Sequence, residues 1–240
     1  MKKLLIFAVL GLMLAPAAFA QKKVAVITFY INKQIDVTEL GAAAYAASVK
    51  LSDDPRFNLT PLLQGFHQQF FNNYSKNLPF QLLPEDQVTG SDVYKNFTPA
   101  NGEGSGVLKL SNYLTPYDGY KTIIPLAGHA SEKQLAKLIE QCDGVMVVYI
   151  DFKLTKIGFG GMGVVKVIAK ANIALYNKAG DKVFAVSEEA KSKSQSPMVG
   201  GVPVMSADKV MPMCQSALAE LMDELPGDLP KIVKKTDAKL

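Results

Sequence analysis

Two histidines and two cysteines in 240 residues are what this sequence most clearly runs short of. With so few thiol and imidazole groups there is no zinc-type cluster. Neither His67 nor His129 marks a catalytic triad, because no serine or cysteine carries a nucleophile-elbow pattern. Excess charge is scarce too: the formal net charge is +4, and Lys2 and Lys3 alone supply two units of it. That is too little to argue for binding nucleic acid or an anionic membrane. There is no internal repeat. These shortages set the expectation of a protein that is not an enzyme and has no catalytic residue, no metal and no cofactor.

What is present begins with a leader. Lys2 and Lys3 precede an apolar run from Leu4 to Leu14, and a small-x-small ending closes at Ala20. That order reads as a secretory signal peptide over residues 1–20 cleaved after Ala20, and the run is too short to stay behind as a stable membrane span. No cysteine stands near the cleavage point, so no lipid anchor is expected. Residues 21–228 suit a single domain. The lysine-containing tail over 229–240 reads as a solvated, frayed end.

The expected elements alternate. "KVAVITFYI" from Lys23 is a β-branched and aromatic first strand. A short helix after Thr38 is weakly signalled. Thr60 and Pro61 open a helix with Leu62, Leu63, Phe66, Phe70 and Tyr74 at three-to-four spacing. "PFQLLPEDQV" reads as a short strand. Residues 98–130 form a long connection containing Tyr113, Tyr117 and Tyr120 and having no steady period. Ser131 and Gln134 suggest a capping box for a helix running to Cys142. Three strands then follow as a meander: "VMVVYIDFKLTKI", "VVKVIAKANIALYN" and "KVFAVSEEAKSKS". In the middle one Val165, Val167, Ala169, Ala171, Ile173 and Leu175 alternate with polar residues. Ser206 caps a last helix with an apolar stripe through Val210, Cys214, Leu218 and Leu221. The expectation is an α/β (α+β) fold, a mixed sheet of about five strands covered by helices.

Several constellations invite chemistry. Gly158, Gly160 and Gly163 spell G-x-G-x-x-G, but a dinucleotide cradle needs a helix immediately afterwards, and Val164, Val165 and Val167 alternate as a strand instead. Glu188 and Glu189 are adjacent on a strand and point to opposite faces, so they cannot flank one bond. Asp151 suits a cross-strand pairing with a lysine. Cys142 and Cys214 are either one disulfide or two small buried hydrophobes.

The remaining oddity is apolar side chains in glycine-rich loops. Phe159 and Met162 lie in one hairpin connection, and Met198, Val199, Val202, Val204 and Met205 lie in the loop after the last strand. Antiparallel connectivity brings both loops to the same end of the sheet. There they either form a partner-binding surface or close the end of the core. The tyrosines of the 98–130 connection offer a second expectation, a lid over a periplasmic ligand-binding or hydrolase pocket.

"KKVAVITFYI", "FQLLPEDQV", "CDGVMVVYI" and "IALYNKAGDKVF" followed by a C-terminal helix resemble the periplasmic α/β domain shared by the curli-secretion pore subunit, the lipoprotein activators of peptidoglycan synthases and the amino-terminal domain of the Tol translocation protein. The resemblance covers most of the chain outside 98–130 and rests on hydrophobic patterns and turns. It implies no catalytic residues, and it implies envelope protein contacts or self-association. The chain lacks the lipid-carrying cysteine of much of that family, which favours a soluble periplasmic or secreted form.

Overall fold

The computed structural model of the chain describes residues 21–100, 110–125, 129–158 and 163–240. In chain order, β1 (Lys23–Asn32) is followed by helices α1 (Ala42–Asp53) and α2 (Thr60–Gln69), and α2 runs on into a π-helical turn at Phe70–Tyr74. Next come β2 (Gln81–Leu82), α3 (Glu85–Thr89), α4 (Asp92–Asn96), β3 (Leu114–Pro116) and α5 (Ala130–Leu138). The long strands β4 (Gly144–Ile157), β5 (Val164–Asn177) and β6 (Lys182–Lys191) form the meander. The short β7 (Ser196–Val199) and β8 (Val202–Pro203) precede helices α6 (Ala207–Glu224) and α7 (Leu229–Lys239).

The expected mixed α/β sheet is there, with eight strands instead of about five among the described residues. β1 lies parallel to β2 and β4, and β4, β5 and β6 are antiparallel neighbours. The extra strands are two to four residues long, too short for any periodicity to announce. β3 comes from the long connection that shows no steady period, and it adds antiparallel to Tyr30–Asn32 at the far end of β1. "PFQLLPEDQV" is strand only at Gln81–Leu82. Pro84 precedes α3, whose first turn carries Glu85 and Asp86, where acidic groups meet the positive end of the helix.

Helices cover both faces. Met146, Val148, Ile150, Val165, Val167, Ile173 and Leu175 belong to the larger core under α1, α2, α6 and α7. Ala25, Ile27, Val145 and Val147 belong to the smaller one under α3, α4 and α5. A bulge in β1 sets which side chains go where. Its register with β4 shifts between Val26 and Thr28, so Ile27 is an extra residue and the alternation reverses behind it. Phe29 and Ile31 therefore join the larger core, while Tyr30 lies on the opposite face beside Tyr149.

Ser206 stands at the N-cap position of α6 as expected, and two other helix starts differ from the expected caps. Asn58 Oδ1, not Thr60, accepts an amide at the start of α2. Ser131 makes no capping box; its hydroxyl accepts the amide of Ala100 at 2.9 Å, and His129 takes the N-cap position. The tail is no frayed end either. Residues 229–239 are helical, with Ile232 fully buried and Leu240 against the core. Ile232 and Thr236, about one turn apart, are buried on its inner face and the helix packs on β6, so even a lysine-rich sequence is held.

The cysteine pairing fails for a topological reason. Cys142 sits in the smaller core and Cys214 in the larger one, with the sheet between them, and both thiols are free. Burial raises both thiol pKa values, most strongly for Cys214. Both thiols should therefore resist alkylation at pH 8 in the folded protein and react in denaturant. An intact mass showing the loss of two hydrogens to a disulfide would contradict this arrangement.

Candidate functional site

The β7–β8 hairpin is joined by hydrogen bonds to the end of the β4–β5 ladder. The β4–β5 ladder ends at Ile157↔Val164. A Cβ on Gly163 would lie 2.9 Å from the carbonyl oxygen of Ile157, so the strand can start this close to its neighbour only without a side chain. β5 follows directly, and no helix stands there to hold a pyrophosphate. β7 pairs with the same end of β5 through Val164↔Pro197 and Val165↔Ser196, and Met198 N–H donates to Gly163 O at 3.0 Å. Gly200 and Gly201, with φ of 59° and 82°, then fold β8 back on β7 in the two-residue hairpin that only such φ values allow.

The predicted patch divides between its two alternatives. Met198 and Met205 pack on the larger core, and Val202 and Val204 are half-buried, so these four close the end of the fold. Val199, at the hairpin, is 68 % exposed. Phe159 and Met162 lie outside the described residues. Ile157, 45 % exposed beside this end, was missed by sequence reasoning, although the last position of an alternating strand could have signalled it. Lys166 and Lys191 stand on the strands just below.

The histidines are absorbed elsewhere. His67 is buried, stacked on Tyr117 at 3.5 Å between ring centroids, and its Nε2 lies 2.7 Å from Glu85 Oε1. The Tyr120 hydroxyl donates to the same oxygen at 2.8 Å. Burial pushes the Tyr120 phenol far above its usual range, and the Glu85 charge pushes it further. Tyr117 and Tyr120 thus pack into the core around Phe29, and Tyr113 O accepts the amide of Lys33. That described part of the 98–130 connection is packed down as sheet and core, not poised as a lid. His129 is the one described non-glycine residue with positive φ, at 51°. Its Nδ1 lies 3.1 Å from the Tyr176 hydroxyl and 3.5 Å from Glu132 Oε1.

Asp151 lies opposite Lys170 in register, as expected, but its carboxylate bonds elsewhere. Asn32 Nδ2 donates to it at 3.2 Å and Asn172 Nδ2 at 3.0 Å, while Lys170 reaches Glu189. Glu188, on the other face, meets Asp228, so the two glutamates diverge as the strand requires. Burial raises the Asp151 pKa despite the two amides. A raised carboxyl binds its proton more tightly in the folded state, so its contribution is present in acid and is lost as pH climbs past the ordinary carboxylate range toward neutrality. Asp151→Asn should remove that part of the slope in thermal melts between mild acid and neutral pH. An unchanged slope would count against it.

Among the described residues no group of three or more His, Cys, Asp or Glu side chains lies close enough to hold a metal ion, and no helix is long and apolar enough to cross a membrane.

No family model and no curated protein matches this chain. Several solved chains are similar, two of them as follows. One is the lipoprotein GNA1162 of Neisseria meningitidis, at 11 % identity and TM-score 0.34 over 88 % of this chain and 99 % of that one. The other is described as a neuraminyllactose-binding hemagglutinin homologue of Helicobacter pylori, at 9 % identity and TM-score 0.33 over 92 % of this chain and 91 % of that one. Likenesses at this level carry no functional argument.

Proposed function

We propose that this is a non-enzymatic protein of the bacterial envelope that acts by contact with another protein or with itself, through the sheet end bearing Ile157 and Val199. The observation that carries the reading is Val199: a branched apolar side chain, 68 % exposed, on a hairpin held to β5 by backbone pairing. An apolar group held rigidly in water loses little further freedom on docking, and its burial is favourable. The connection next to it adds Phe159 and Met162 in sequence. The leader over residues 1–20 and the resemblance to periplasmic α/β domains support the compartment.

Val199→Asp tests this. The side chain touches little, so folding stability should change by less than about 0.5 kcal/mol. Cross-linked oligomer, or the partner recovered by affinity capture from an envelope fraction, should fall severalfold. Unaltered recovery with Val199→Asp would refute the surface. In the companion variant Phe159→Ser with Met162→Ser, a collapse of thermal stability would assign those two residues to the core instead.

A further inference from the structure

The opposite edge of the sheet carries a second feature that the sheet-end contact does not use. A cleft of about 550 Å³ opens beside β2, lined by Phe71, Ser75, Gln81 and Leu82 and flanked by Lys76 and Glu85, with Leu78 and Phe80 almost wholly buried at its floor. Among the described residues β2 pairs only with β1, so its other side is an open sheet edge there. The amides of Gln81 and Leu83 both donate inward, to Lys22 O and Val24 O at 2.8 Å. Because successive residues of a strand point their backbone groups to opposite sides, the N–H and C=O of Leu82 point outward, along the wall of the cleft.

The surroundings hold this edge in place. Glu85 Oε1 is fixed by His67 and the Tyr120 hydroxyl, which anchors a carboxylate at the cleft. Phe71 reaches the cleft from the π-helical turn Phe70–Tyr74, and such turns recur at functional sites because the extra residue redirects side chains. Lys76, exposed on the next turn, puts a cation on the same cleft.

We infer that this cleft binds an extended polypeptide segment of a partner, which adds to β2 as the next strand. A strand offers what the site lacks: a carbonyl for Leu82 N–H, an amide for Leu82 C=O, and an apolar side chain to cover the half-exposed Phe71. A basic and an acidic side chain on that segment would meet Glu85 and Lys76.

The test uses a fluorescent acetylated octapeptide that alternates valine and threonine and carries a lysine and a glutamate at its two ends. Its anisotropy should titrate saturably with the protein. N-methylation of alternate residues, in the phase that faces β2, removes ladder hydrogen bonds and keeps every side chain. It should weaken binding about tenfold or more, while methylation in the other phase should not. In the protein, Leu82→Pro deletes the outward N–H and leaves the inward bonds of Gln81 and Leu83. It should cause a similar loss with an unchanged circular dichroism spectrum. Absence of saturable binding overturns the inference. So does binding indifferent to the methylation phase, which would mark the cleft as a pocket for small apolar molecules. Val199→Asp should leave this titration unaltered, so failure here and failure at the sheet end are read separately.

Discussion

Replacing Phe29 with alanine should cost about 3–5 kcal/mol and lower the melting temperature by roughly 10 °C, the largest effect expected of any single substitution considered. The Phe29 ring lies 5.0–6.2 Å, centroid to centroid, from six others: Phe66, His67, Phe70, Phe71, Tyr117 and Tyr120. They come from two separate stretches of chain, so one side chain ties β1 to α2 with its π-helical continuation and to the segment behind β3. Neighbours held by this many elements cannot collapse into the space it leaves, which places the cost at the upper part of the range. The loss of near-ultraviolet dichroism from the tyrosines should accompany it. A cost below about 1.5 kcal/mol would mean that the cluster repacks freely.

Tyr94→Phe should be nearly as damaging for a much smaller change, about 2–3 kcal/mol. The Tyr94 hydroxyl donates to Ile27 O at 2.8 Å and accepts the amide of Lys121 at 2.7 Å. Burial lifts its pKa to about 12, so the neutral phenol is the working form throughout the physiological range. The bulged residue Ile27 interrupts the ladder, and β2 and β3 leave a gap between them along this edge of β1. Thr28 completes the repair: its hydroxyl donates to Lys121 O and accepts the amide of Ile123. Removing one oxygen leaves both a carbonyl and an amide without partners beside the smaller core. Urea denaturation of both proteins at neutral pH measures this. Equal midpoints would show that water replaces the phenol.

The comparison between sequence and fold turns on where a residue's fate is local. In β5 every position from Val165 to Leu175 faces as its alternation says, because a strand with covered faces enforces period two. That the segment after β6 returns to the end of the sheet where β5 begins was legible too, since antiparallel connectivity fixes direction. The bulge at Ile27 was not legible. In "VAVITFYI" both faces are apolar, so a slip of one residue leaves no mark in the pattern, yet it sends Phe29 to one core and Tyr30 to the other face. β3, β7 and β8 were missed because strands of two to four residues owe their existence to a neighbour's open edge and not to their own propensity.

By itself, then, the sequence determined an α/β chain with a meander, an apolar end and no excess of chemistry-bearing side chains. Those properties follow from composition and short-range period. The tertiary structure decided that Met198 and Met205 pack on the core while Val199 is exposed, that Cys142 and Cys214 are separated by the sheet, and that Leu82 turns its backbone outward beside a cleft. Each of these depends on contacts between residues far apart in the chain, and hydrophobic burial, being non-directional, does not say from the sequence which face or which edge will be left uncovered.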